Sequence, residues 1–139
     1  MEHYRMEELE IGMEKEFSVP LTEEKMKMFT QISGDVNPLH LDDDFAQMHG
    51  FPSRVVYGML TASFYSTLAG VYLPGERCLL HEVDAKFVKP VILADKEVLT
   101  VWGRIEEVNR ELGFIRLKAR VWNQKGEIVS RARIMAGVL

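Results

Sequence analysis

The chain contains four histidines, and only His40 has an acid a few residues away across a constrained turn. Histidine is the side chain whose ordinary pKa, about 6.5, lies nearest neutral pH, so acid–base chemistry is sought there first. Asp35 precedes His40 by five positions. Between them Pro38 lacks an amide hydrogen and drives Asn37 toward extended backbone. Residues Asp35 to His40 (DVNPLH) are therefore expected to form a fixed polar loop in which both side chains can point into one pocket. A pair so placed can hold and activate a water. The amide of Asn37 can fix either the loop backbone or the histidine ring. A purely structural reading stays open: Asp35 capping the next turn, Asn37 making an Asx-turn, and His40 merely hydrogen-bonded.

Gly58 offers a second kind of chemistry. It opens an apolar helix, where backbone amides lack intrahelical partners and the dipole is positive, so its N–H can donate to a developing oxyanion. Only a small residue permits close approach. The alternative is that Gly58 starts a helix whose first turn is crowded. Metal binding has less support. Asp35, Asn37, His40, Asp42, Asp43, Asp44 and His49 match no ligand spacing of known mechanism, and read as a calcium loop the segment has His40 where Gly is needed and Ala46 where Glu is needed. The Asp triplet reads more simply as a solvated helix start. HExxH, GxSxG, P-loop and GxGxxG patterns are absent from the sequence.

The elements that must position these residues come next. Thr22 is a good N-cap, Glu23 and Glu24 suit the positive end of a helix dipole, and Met26, Phe29 and Ile32 form the expected core face of a helix from Thr22 to Ser33, stopped by Gly34. Asp42 can cap a short turn through Phe45 and Ala46. From Val55 to Gly75 the sequence is free of charge, long enough to be considered for a membrane span. The small polar residues inside it and Pro74-Gly75 at its end favour a helix buried in a water-soluble fold, over about Tyr57 to Tyr72. Four segments then alternate with period two: Glu82–Phe87, Val98–Ile105, Phe114–Trp122 and Ile128–Ala136. Turn signals at 110–113 and 123–126 join the last three into antiparallel hairpins. Helices early and strands late indicate an α+β domain, an antiparallel sheet wrapped around the apolar helix.

With 139 residues, 47% hydrophobic and 27% charged, the chain has the composition of one globular domain, taken as 1–139. Seventeen Lys and Arg against 21 Asp and Glu give a net charge of −4, with no basic run, so nucleic acid is not an expected partner. One cysteine, Cys78, allows no internal disulfide and is read as structural, and the charged N-terminal stretch lacks a signal-peptide core, so a cytoplasmic location is expected.

The stretch from Phe29 to Ala46 (FTQISGDVNPLHLDDDFA) resembles the signature of the MaoC-like hydratases, the (R)-specific enoyl-CoA hydratase family of the hotdog fold. Val55 to Ser66 (VVYGMLTASFYS) resembles that family's central helix, and Phe87 to Val91 (FVKPV) its proline-interrupted strand. The resemblance implies a single hotdog domain with a helical overhang carrying the active-site loop. It implies Asp35 and His40 as the catalytic pair, adding water to a trans-2-enoyl thioester of coenzyme A or an acyl carrier protein, or removing it again. It also implies Gly58 as donor to the thioester carbonyl, Asn37 as support for the loop, Ser66 as a residue lining the site, no cofactor, and a homodimer or higher homo-oligomer. Many members have His before the helix glycine, whereas this chain has Tyr57, which is grouped with the substrate-binding residues. Arg54, Lys86 and Lys89 are the basic groups available to meet phosphates. Two other readings share the fold, an acyl-thioesterase and a non-catalytic acyl-thioester binding module.

Overall fold

Caps and prolines decide where the first helices begin and end. The structure, a computed structural model, describes residues 1–93 and 97–139. Strand β1 (Glu14–Pro20) leads to α1 (Glu23–Ser33), whose first turn is closed by the Lys25 amide donating to the Thr22 hydroxyl at 3.2 Å. The helix stops at Gly34, held at φ +71°, a conformation that glycine adopts without steric cost. Met26 is buried and Phe29 packs partly on the core, but Ile32 is 81% exposed, against expectation. Three-residue steps drift by about 60° each around an α-helix, so Ile32 has rotated about 120° away from Met26.

The polar segment after Gly34 is only partly a loop. Pro38–Leu41 forms a one-turn helix, α2, with proline at its first turn, where a missing N–H costs nothing, and with Asn37 Oδ1 accepting the Leu39 amide at 2.9 Å. Asp42 Oδ1 then caps α3 (Asp43–Met48) by accepting the Asp44 and Phe45 amides at 2.9 and 3.1 Å, so the Asp triplet is the helix start its composition suggests.

The uncharged stretch becomes α4 (Gly58–Thr67), prolonged by a π-helical turn over Leu68–Tyr72. Among the described residues, no helix is long and apolar enough to cross a membrane. Instead α4 lies against a five-stranded antiparallel sheet of β1, β2 (Cys78–Phe87), β3 (Val98–Asn109), β4 (Phe114–Trp122) and β5 (Ile128–Val138), in the order β1-β3-β4-β5-β2. Leu99, Val101 and Ile105 of β3, Ile115, Leu117, Ala119 and Val121 of β4, and Ala132, Ile134 and Ala136 of β5 are buried, which is the alternation read from the sequence. Gly103 of β3 is where helix and sheet come closest: a Cβ there would sit 2.5 Å from a methyl of Leu68. Strand β2 departs from expectation. Val83 and Phe87, which alternate with the polar residues of this strand, are 38% and 51% exposed, because β2 is an edge strand with no neighbour on its outer side.

A polar link crosses this interior. The Tyr65 hydroxyl donates to Ser130 Oγ at 2.8 Å, and Ser130 donates to the Lys86 carbonyl at 3.0 Å. Burial, only partly offset by the Ser130 bond, pushes the Tyr65 phenol up to about 12. Its unfolded value is about 10, so the folded state holds its proton more tightly. That contribution is complete below pH 10 and is lost as pH rises from 10 toward 12. Urea unfolding across that window is expected to show a steeper decline for the parent protein than for Tyr65→Phe, and equal slopes would contradict the assignment.

Candidate active site

The loop between α1 and α2 is held by its own side chains. Asp35 Oδ1 accepts the Asn37 amide at 3.0 Å, Asn37 Oδ1 accepts the Leu39 amide, and the His40 amide donates to the Asn37 carbonyl at 3.0 Å. These are the local turns of the structural reading. They account for one oxygen of Asp35, and among the described residues the other takes no hydrogen bond.

His40 does more than satisfy a turn. Its Nδ1 lies 2.7 Å from the carbonyl oxygen of Val55, in the segment leading to α4. A carbonyl only accepts, so Nδ1 carries the proton and the neutral ring keeps its lone pair on Nε2. That is the tautomer of a base. The segment supplying the carbonyl is fixed on both sides: the Val55 amide donates to Leu39 O at 3.1 Å and the Val56 amide to Val91 O at 2.8 Å.

Tyr57 ties the two candidate residues together. Only 1% of it is accessible. Its hydroxyl donates to the main-chain oxygen of Asp35 at 2.8 Å and lies 2.7 Å from Thr30 Oγ1, which bonds the Met26 carbonyl at 2.9 Å. Its ring sits against His40, centroids 4.0 Å apart, and beside Phe29 at 4.9 Å. One buried side chain thus joins the end of α1, the backbone of Asp35 and the imidazole of His40. Thr30 and the Val55 carbonyl were not legible as participants, since both act across 15 residues or more.

Gly58 follows directly as the first residue of α4, and among the described residues no side chain caps that helix start. The ring of Phe87 lies 3.3 Å from where a Cβ on Gly58 would be, so the crowding and the open amide occur together. Ser66 is exposed on α4, two turns and about 12 Å along the axis from Gly58, outside this hydrogen-bonded group.

The three basic groups separate cleanly. Arg54 forms ion pairs with Glu23 and Asp43, bracing the starts of α1 and α3, and the Glu23 carboxylate holds its guanidinium above the ordinary value. Lys89 pairs with Glu127. Lys86 alone has no ion-pair partner among the described residues. No group of three or more His, Cys, Asp or Glu is placed to hold a metal ion among them.

Comparison with known proteins agrees with this architecture. Residues 7–123 match the model of the MaoC like domain. An (R)-specific enoyl-CoA hydratase of Aeromonas caviae is 31% identical over 120 residues, spanning 86% of this chain and 88% of the relative. One of Rhodospirillum rubrum is 33% identical over 99 residues, spanning 71% and 68%. The solved (R)-hydratase from A. caviae involved in PHA biosynthesis superimposes with a TM-score of 0.89 at 27% identity, covering 94% of this chain and 98% of its own.

Proposed function

The chain belongs to the MaoC-like family, with the hotdog fold of its hydratases, and from that premise we propose that it adds water to a trans-2-enoyl thioester to give an (R)-3-hydroxyacyl thioester, or runs the reverse elimination. It is a hydro-lyase of the hydratase and dehydratase class. The observation that supports the finer reading is the Tyr57 joint, whose hydroxyl bonds the Asp35 main-chain oxygen and whose ring packs on a His40 whose Nδ1–H is committed to Val55.

The reaction follows from those groups. The thioester carbonyl meets the Gly58 N–H, drawing electron density from the β-carbon. Asp35 and the His40 Nε2 grip one water. Nε2 takes a proton as the hydroxyl oxygen bonds to the β-carbon, the double-bond electrons shift toward the α-carbon and the carbonyl oxygen, and Nε2 then hands that same proton to the α-carbon, which leaves the ring neutral again. One water is consumed and one C=C bond lost. A backbone donor aimed at the developing oxyanion lowers such a barrier by roughly 3–4 kcal/mol. Asn37 supports the loop and Ser66 lines the outer part of the site. The acyl group arrives on coenzyme A or a carrier protein.

Two copies paired through β2 complete the assembly. Leu79, Leu80, Val83 and Phe87 on this edge are 38–51% exposed, an apolar surface that pairing would cover.

The test is purified protein with crotonyl-CoA, following the conjugated enoyl absorbance beside a thiol reagent. Loss of absorbance without thiol supports hydration. Released thiol would make the protein a thioesterase, and saturable binding without turnover an acyl-thioester binding module. Tyr57→Phe, which deletes the hydroxyl but keeps the ring on His40, is expected to lower kcat about tenfold with KM little changed, and stability by about 1 kcal/mol. A kcat within twofold of the parent's would remove Tyr57 from the mechanism.

A further inference from the structure

The outward face of the sheet carries a pattern that no linear run of sequence displays. In one row across the strands, Arg104 of β3 stands opposite Lys118 of β4, and Lys118 opposite Arg133 of β5. In the next row Arg120 of β4 stands opposite Arg131 of β5, and Arg131 opposite Lys86 of β2. Directly opposed residues on one sheet face have Cβ atoms about 4.5–5.5 Å apart, and like charges so placed destabilise the pair. This chain bears a net charge of −4, yet it sets cation beside cation at all four of these contacts. Carboxylates of β1 and β3 lie within 4.0 Å of Arg104. Among the described residues, Lys86, Lys118, Arg120, Arg131 and Arg133 have no ion-pair partner within 4.0 Å, although the Arg120 guanidinium lies over the Trp102 ring, 6.0 Å from its centroid, and Arg133 stands opposite Asp84 of β2.

The shape and rim of this face select its occupant. It forms a shallow trough of about 880 Å³, walled by Glu82 and Asp84 of β2 on one side and Glu106 and Glu107 of β3 on the other. Each row of three cations spans two strand spacings, about 10 Å, close to the 10–12 Å diameter of one α-helix. A duplex nucleic acid or a lipid surface is wider and would press phosphates onto the acidic walls. A second copy of the same face would set cations against cations. One helix bearing carboxylates fits between the walls.

The Arg120–Arg131–Lys86 row also ends in a meaningful place. Phe87, the residue after Lys86, lies against Gly58. We propose that this face docks an acidic helix of an acyl carrier protein, the carrier of the thioester taken by the site; the proposal rests on the thioester reading of that site. Carrier-bound substrates thereby gain a contact that coenzyme A thioesters lack.

Calorimetric titration with a bacterial acyl carrier protein bearing its phosphopantetheine arm but no acyl group reads the surface without catalysis. Binding is expected to weaken with salt, and to fall at least tenfold in Arg120→Glu/Arg131→Glu, while that variant keeps crotonyl-CoA turnover within twofold of the parent's. Lys118→Gln/Arg133→Gln, which removes charge and adds none, is expected to weaken binding less and to raise the unfolding midpoint. Equal binding by parent and charge-reversed variant, no binding by the parent, or a preference for duplex DNA or phosphatidylglycerol vesicles would overturn the proposal. Intact, charge-dependent carrier binding without crotonyl-CoA turnover would support the surface and count against the hydratase reading instead.

Discussion

Asparagine at His40 is expected to lower kcat by about 10²–10⁴-fold while leaving the fold intact. The amide nitrogen of asparagine sits as many bonds from the backbone as the imidazole Nδ1, so His40→Asn can still donate to the Val55 carbonyl, now 2.7 Å from the ring. What it lacks is the Nε2 lone pair. Alanine would remove the base as well, but it would also strip Val55 of its donor and leave the Tyr57 ring facing a void. The asparagine variant therefore separates chemistry from support. Asp35→Asn is built on the same logic, since its remaining oxygen can accept the Asn37 amide that Oδ1 accepts at 3.0 Å. Crotonyl-CoA hydration rates, with circular dichroism to confirm folding, decide the matter. Turnover within tenfold of the parent's in either variant would end the acid–base assignment for that residue.

The largest structural effect is expected where α4 meets β3. Leu68 is fully buried, and the absent side chain of Gly103 leaves the space its methyl occupies. Leu68→Ala is expected to cost about 2–5 kcal/mol, the range for truncating a buried leucine whose surroundings only partly collapse. Gly103→Ala places a Cβ 2.5 Å from one Leu68 methyl and 3.1 Å from its Cγ, so the whole branch must move within a filled interior. Such overpacking costs about 1–3 kcal/mol. The two changes touch the same few cubic ångströms, so their combination is expected to cost less than the sum of the singles, by about 1 kcal/mol or more. Urea unfolding of the four proteins in a cycle measures this. Strict additivity would mean that Gly103 is there for another reason.

Local signals were legible in the sequence because they act over a few residues. Thr22, Gly34 and Asp42 each cap or stop a helix as their types suggest, and the alternation of β4 and β5 identifies the sheet's inner face. What needed the third dimension was missed. Ile32 fits a three-residue pattern but not the true helical repeat. Val83 and Phe87 alternate correctly on a strand that turns out to be an edge. Arg54 and Lys89 look like free cations until the fold brings Glu23, Asp43 and Glu127 to them. The cation rows are invisible in sequence because they run across strands, with partners 11 to 45 positions apart. In the candidate site, Asp35, Asn37 and His40 announce themselves through Pro38, while Tyr57 reads only as a departure from a family pattern. Its bonds to Thr30 and Asp35 span 27 and 22 residues.

The Tyr57 joint bears on how the site tolerates thermal motion. Reaction geometry depends on the separation between groups, and only loosely on where the set as a whole sits. The phenol oxygen carries the Asp35 backbone, the ring carries His40, and the next peptide is that of Gly58. A tilt or slide of the start of α4 therefore carries the proposed base, acid and amide donor along as one body, a common-mode displacement. Differential displacement, the kind that spoils an attack distance, requires breaking a contact to one buried side chain. The loop can ride on a moving helix and still present a constant spacing to the water proposed to bind between Asp35 and His40.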